Sequence, residues 1–309
     1  MSRTRVPRDL IRANEFSREV LAAYREAVRR YGDELWVTGI SMGVKEIGGE
    51  VDADAGTVIA IHVRLKQDMA RVPRANRIPP TILGVATDVI EGTYTPSSNG
   101  AHGSALPVFP LRPGSSFARS NGTAATLAGV LRDASGVRYL LSSGHVLREG
   151  GGSRKGDLLV HPGPDDSRQP AGVARYESVH LGYDAGIARL EPGIQAINRA
   201  LLSNRQILAP QMPRIGDVLE KSGRSTQLTQ GEVSHIGTFD HVYPVMWLVL
   251  PAGASPPISE KGDSGSMWYD TTTFAAKGLH IGIDSRASRP TAVATVAVEV
   301  AKFWKLTWE

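Results

Sequence analysis

The stretch that decides the reading of this chain is Ile258-Ser259-Glu260-Lys261-Gly262-Asp263-Ser264-Gly265-Ser266. Its glycines let a backbone turn tightly, and a tight turn here brings the amides of Gly262 and Ser264 together on an oxygen that is gaining negative charge. Ser264 is thereby a candidate attacking hydroxyl, and the two amides are a candidate oxyanion hole. Glycine, serine and aspartate are also ordinary turn residues, so the stretch taken alone is more often a plain loop.

Two elements upstream change its weight. Val137-Arg138-Tyr139-Leu140-Leu141-Ser142-Ser143-Gly144-His145 is an apolar strand that passes through three small residues into a histidine. Tyr183-Asp184-Ala185-Gly186-Ile187-Ala188-Arg189-Leu190 sets an acid directly before a short alternating strand. A serine hydroxyl is a weak nucleophile at its own pKa, and it needs a base to take its proton and an acid to orient that base. The chain order His145, Asp184, Ser264 excludes the two other common arrangements of these residue types, Ser-Asp-His and Asp-His-Ser.

The three motifs resemble those of the chymotrypsin/trypsin-like serine protease family. A closer likeness is to a bacterial group related to the narrow-leaf trypsin-like proteins of plants. It is carried by Arg112-Pro113-Gly114, residues 122–133, Pro162-Gly163-Pro164-Asp165-Asp166 and residues 218–233. The last segment is similar to that group's Lys-x-Gly-Arg-Thr-Thr-Gly-x-Thr-x-Gly hairpin, with Ser225 for a usual threonine and Gln227 for a usual glycine. The resemblance implies a mainly β fold, a two-barrel chymotrypsin-like domain behind a small α/β N-terminal domain. It further implies a serine endopeptidase acting through an acyl-enzyme, with His145, Asp184 and Ser264 catalytic and Asp263 as structural support. In secreted members the aspartate matching Asp263 is held by a newly cleaved N-terminal amine. Here more than a hundred residues precede the barrel, so either an internal group holds Asp263 or cleavage within 91–121 activates the chain; with no Ile-Val-Gly-Gly start present, the internal group is the expectation.

Specificity is read by position within the same resemblance. Ile258, six residues before the nucleophile, stands where a preference for Lys or Arg requires an aspartate. The strand Gly278-Leu279-His280-Ile281-Gly282-Ile283 is similar to the Gly-Ile-His-x-Gly segment of glutamyl endopeptidases, which lines the pocket and pairs with the substrate backbone. Ile258, Ser259, His280, Ile281 and Gly282 are therefore the candidate substrate-binding residues. His280 with the Ser259 hydroxyl either receives a substrate carboxylate or simply packs in the barrel.

Bulk properties agree. The 309 residues are 41% hydrophobic and 21% charged, ordinary for a globular protein of two domains or of one with an extension. No cysteine is present, which favours a reducing cytoplasm. The start of the chain has no apolar leader and no long apolar run occurs, so a membrane is not an expected partner. Net charge is +4, and the N-terminal arginines alternate with Asp9, Glu15, Glu19 and Glu26, so nucleic acid is not expected either. No cofactor and no metal are expected. The expected partners are a polypeptide substrate and a protein engaged through the N-terminal domain.

Along the chain, Phe16, Val20, Leu21, Tyr24, Val28 and Tyr31 repeat at helical spacing and predict a helix over 15–31, with Asn14 as cap and Gly32 as stop. Strands are predicted at 36–45, 57–66 and 81–91, the second with His62 on its polar side. A stretch rich in Pro, Gly and Ser follows. The expected division is an N-terminal α/β domain over 1–92, a linker over 93–117 and a protease domain over 118–309, ending in a helix over 297–308. The N-terminal domain would recruit, gate or oligomerise an active enzyme. The alternative is a catalytically weak or inactive protease fold that serves as a peptide-binding or regulatory module.

Overall fold

The computed structural model describes residues 6–47, 50–52, 55–68, 70–96, 107–148, 153–239, 242–251, 253–254, 257–284 and 291–309. From Ser116 onward short strands alternate with turns and form two curved sheets. The first is a half-barrel whose strands follow the hydrogen-bonded order Thr307–Trp308, Gly129–Arg132, Arg138–Ser143, Ala185–Leu190, Ala171–His180, Leu158–His161, Ser116–Arg119 and Ala125–Thr126. The second follows Val218–Gly223, Met267–Asp270, Ala276–Asp284, Thr291–Val296, Val242–Val249 and Gln227–Phe239, which pairs back onto Val218–Gly223 and closes the barrel. Closure removes the free edges that would otherwise expose backbone donors and acceptors.

The N-terminal helix forms for local reasons. Leu21, Tyr24, Ala27, Val28 and Tyr31 share one buried face of Arg18–Tyr31, and Ser17 Oγ accepts from the Val20 N–H at 3.3 Å. Asn14, the expected cap, instead ends a separate helix, Arg8–Asn14. Its amide donates to the Leu10 and Pro213 carbonyls and its Oδ1 accepts from the Ile215 N–H, fastening the N-terminus to the approach of the second barrel.

Strands Val37–Gly43, Val58–Val63 and Val85–Glu91 lie where the periodicity places them. They do not stand apart from the barrel. The 13-residue strand Gln227–Phe239 closes the barrel with its first half and pairs with Val37–Gly43 through its second, from Gly39 opposite Phe239 to Gly43 opposite His235. Leu21, Tyr24, Ile40, Met42, Ile59 and Ile61 share one apolar cluster with Val233, Ile236, Met246 and Leu248. The described residues between 6 and 92 are thus continuous with the second barrel in both hydrogen bonding and core.

One expectation is corrected by this continuity. His62 does not face a polar side: every residue of Val58–Val63 is buried, because helices cover one face of the strand and barrel residues the other. His62 stacks on Trp247 at 4.4 Å between centroids, with Nε2 2.9 Å from Ser41 Oγ. Of the stretch expected as a linker, residues 97–106 lie outside the described residues, and its two described ends are packed. Tyr94–Pro96 is a strand, and Leu111 and Phe117 are buried in the half-barrel, with the Leu111 N–H donating to the Gln195 carbonyl at 2.8 Å. Pro and Gly mark the absence of a regular period, not the absence of packing. The C-terminal helix ends at Trp304, and Thr307–Trp308 returns as a strand on Leu131 and Arg132.

Candidate active site

The site lies where the half-barrel meets the closed barrel. Strand Arg138–Ser143 runs into a short helix, Gly144–Arg148, that presents His145. Asp184 follows a 3-10 turn, Leu181–Tyr183, in the left-handed region (φ 44°, ψ 48°), which aspartate tolerates better than most residues. There its carbonyl accepts from the Gly144 N–H at 2.8 Å. Its Oδ1 accepts from the His145 backbone N–H and its Oδ2 lies against His145 Nδ1, each at 2.7 Å. A carboxylate only accepts, so Nδ1 carries the proton and Nε2 turns its lone pair to Ser264 Oγ, 3.0 Å away.

Ser264 comes from the loop before strand Met267–Asp270. Gly262 (φ 103°) and Gly265 (φ 89°) flank the turn in conformations that other residues rarely adopt. A Cβ on Gly265 would lie 2.2 Å from the Thr126 carbonyl oxygen. Thr126 clasps the loop from the half-barrel: its N–H donates to the Ser264 carbonyl at 2.9 Å and its Oγ1 to the Gly262 carbonyl at 2.8 Å. Ser225 Oγ donates to the Lys261 carbonyl at 2.5 Å, so the Gly262 N–H, on the opposite side of that trans peptide, points away from Ser225.

Beneath the loop, Asp263 is fully buried and its carboxylate is enclosed by donors. Oδ2 accepts from Lys221 Nζ at 2.8 Å and Thr226 Oγ1 at 2.5 Å, and Oδ1 from the Ser225 and Thr226 N–H groups at 2.9 and 3.1 Å. Burial works to raise the Asp263 carboxyl. The Lys221 ammonium, with its hydrogen bond and that of Thr226, outweighs burial and holds the group well below the ordinary carboxylate range. The internal partner expected for Asp263 is therefore Lys221.

The same network reaches the pocket residues. Trp268 Nε1 donates to His280 Nδ1 at 3.3 Å, which leaves the His280 proton on Nε2, 2.7 Å from Ser259 Oγ. Ser259 Oγ donates in turn to Asp263 Oδ2 at 3.2 Å. Burial lowers the His280 pKa, and the nearby Lys221 cation lowers it further, so the ring is neutral. Ile258 is buried against the barrel core. Ile281 packs its side chain with Trp247 and Val293, away from His280, so it meets the site through its backbone. Gly282 pairs with Pro96.

Sequence reasoning thus placed His145, Asp184, Ser264, Asp263, Ser259 and His280 in one neighbourhood, and the structure brings them together. It missed Lys221, Thr226 and Thr126. Lys221 had a signal: on Val218–Gly223 it alternates in step with buried Leu219, so the strand period points a lysine inward. Gln227 adopts φ 63°, which explains why the resembled hairpin carries glycine there.

This architecture is the two-barrel fold of the chymotrypsin-like serine proteases. No family model and no curated protein matches the sequence. Among solved structures, a glutamic acid-specific serine protease that uses a histidine triad in substrate binding aligns with 64% of this chain and 100% of its own, at 19% identity and a TM-score of 0.50. Protease A of Thermobifida fusca aligns with 64% of this chain and 97% of its own, at 18% identity and a TM-score of 0.47. A Nocardiopsis protease aligns with 68% of this chain and 100% of its own, at 15% identity and a TM-score of 0.46. At such identities the likeness is one of fold.

Proposed function

We propose that the protein is a serine endopeptidase in which Ser264 is the nucleophile, His145 the general base and acid, and Asp184 the residue that fixes the imidazole. The observation that supports it is the unbroken path from Asp184 Oδ2 through the His145 ring to Ser264 Oγ, with steps of 2.7 and 3.0 Å. Ser264 Oγ attacks the scissile carbonyl while its proton passes to His145 Nε2. The tetrahedral oxyanion is received by the Gly262 and Ser264 amides. As the C–N bond breaks, His145 returns the proton to the leaving amine, and water then releases the acyl group by the reverse sequence. Asp263, locked by Lys221, keeps the loop that carries both amides in place before substrate arrives.

The pocket reading belongs to the same proposal. Ile258 offers a cationic side chain no counter-charge, whereas Ser259 Oγ–H, once rotated off Asp263 Oδ2, and the His280 Nε2–H that this rotation releases become donors for an acidic or small polar side chain. The kinship with the bacterial group related to plant narrow-leaf proteins rests on the segments at 112–114, 122–133, 162–166 and 218–233. Lack of cysteine suits a cytoplasmic setting. The N-terminal unit is proposed to gate the site or to engage a protein partner. The test is turnover of an internally quenched peptide library by wild type, Ser264→Ala and His145→Ala. Each substitution should lower turnover by about ten-thousand-fold or more, and the double variant should lose little beyond either single one, because the residues act as a unit. Hydrolysis that survives Ser264→Ala overturns the assignment.

A further inference from the structure

The strand Ala276–Asp284 has one edge that passes the nucleophile, and its partners along that edge can be followed in order. Ala276, Gly278 and Leu279 pair with Met267–Asp270. His280 exchanges backbone hydrogen bonds with the nucleophile loop, its carbonyl accepting from the Gly265 N–H and its N–H donating to the Ser266 carbonyl, each at 2.8 Å. The other edge is taken by Thr291–Val296 from Gly278 to Asp284. Beyond His280 the first edge is occupied by this chain's own Tyr94–Pro96, antiparallel, with Pro96 opposite Gly282, Thr95 opposite Ile283 and Tyr94 opposite Asp284.

Two features give this pairing meaning. As the chain ascends from Tyr94 to Pro96 its partners descend from Asp284 to Gly282, so the strand is aimed at the Ser264 loop. Pro96, the last described residue of this segment, lies two residues from His280, roughly 7 Å along the strand. The segment is also delivered by the N-terminal sheet: the Gly92 N–H donates to the Val63 carbonyl at 2.8 Å, and the Gly92 carbonyl accepts from Thr38 Oγ1 at 2.9 Å. That sheet is itself hydrogen-bonded to the barrel.

We propose that Tyr94–Pro96 is an intramolecular inhibitor strand, which occupies in cis the edge at 282–284 that an extended peptide must pair with to reach Ser264. The proposal rests on the serine endopeptidase reading of the same site. Pairing by main-chain hydrogen bonds fits any extended peptide of suitable shape. A strand of three residues is short, but tethering places it at an effective concentration on the order of millimolar, so it competes with a free peptide. Pro96 has no N–H to give, so it must sit at a pair that exchanges no hydrogen bonds. Thr95 and Ile283, the neighbouring pair, therefore exchange both.

Replacing Thr95 by proline removes that donor and should open the edge. Two measurements on the full chain decide the matter. Turnover of extended peptides should rise about tenfold in Thr95→Pro through a lower KM, while labelling of Ser264 by a small fluorophosphonate, which needs no strand pairing, stays as in wild type. A fluorescent peptide of residues 92–96 should bind Thr95→Pro and not wild type. Equal peptide turnover in the two forms with labelling intact, or equal binding of the added peptide, overturns the inhibitor strand. Absence of labelling in both forms with selective peptide binding retained removes the peptidase reading and leaves the strand. If Thr95→Pro lacks a cooperative thermal transition, Thr95→Gly/Pro96→Gly loosens the same strand and gives the same comparison.

Discussion

The Lys221 ammonium lies 2.8 Å from Asp263 Oδ2, with both side chains closed off from solvent. Where activation depends on cutting the chain, the partner of such an aspartate arrives only with a new N-terminus. Here it comes from a hairpin of the same barrel. Two isolated buried charges would each cost several kcal/mol, and the pair is tolerable because Thr226, Ser225 and the Glu260 N–H complete the carboxylate shell. Lys221 Nζ also sits 5.3 Å from the centroid of the Trp268 ring.

Lys221→Met should therefore strand a buried carboxylate and destabilise the fold by about 3–5 kcal/mol, and it should slow reaction at Ser264. Adding Asp263→Asn removes the stranded charge, so the double variant should recover part of the stability. Urea unfolding of the four proteins measures this. A Lys221→Met protein as stable as wild type contradicts the role given to the pair.

Deleting residues 1–92 uncovers the edge of the strand Gln227–Phe239 and the barrel's share of the cluster that holds Ile236, Met246 and Leu248. The expected outcome is a barrel that aggregates or melts well below the full chain, because an open edge and an apolar face are exposed together. Expression followed by light scattering and calorimetry checks it. A monomeric truncated barrel that melts with the full chain would show that the shared sheet is dispensable.

Two buried histidines set a pH dependence. Burial lowers the pKa of His62 well below 6.5, and it lowers that of His235 to about 4 against the pull of Asp88. A group with a lowered folded-state pKa binds its proton more readily in the unfolded chain. Stability is therefore full above pH 6.5 and falls with acidification toward pH 4, by about 3 kcal/mol for His235 alone. Urea midpoints between pH 7.5 and 4.5 should drop in wild type and drop less in His235→Gln. A wild-type midpoint that stays level through this window is the contrary result.

If the pocket works as read, cleavage follows acidic or small polar residues and not Lys or Arg. His280→Ala should then reduce the acidic preference by about 1–3 kcal/mol, or roughly five- to 150-fold, since a buried carboxylate loses a donor. Cleavage-site profiling of a peptide library by mass spectrometry reads it. Strong cleavage after arginine, or an unchanged profile in His280→Ala, reduces this histidine to barrel packing.

The parts of this molecule legible in sequence were those with a local signature. The turn at 262–265, the strand into His145 and the acid before Ala185–Leu190 each announce their chemistry within ten residues, and their chain order supplied the fold. What the sequence hid were relationships between distant segments. His62 lies on an alternating strand that in isolation has a polar face, and only the barrel behind it makes that face interior. Thr126 looks like any strand threonine until the nucleophile loop is seen lying across it. The pairing of Tyr94–Pro96 with residues nearly two hundred positions later has no local period at all.

The central claim is that His145 and Asp184 make Ser264 a nucleophile, and the most direct measurement is covalent labelling by a fluorophosphonate with the adduct mapped by mass spectrometry. The account predicts one adduct, on Ser264 of the folded wild type, absent in Ser264→Ala and formed orders of magnitude more slowly in His145→Ala. A folded wild-type chain that does not label, or an adduct that persists in Ser264→Ala, would contradict it.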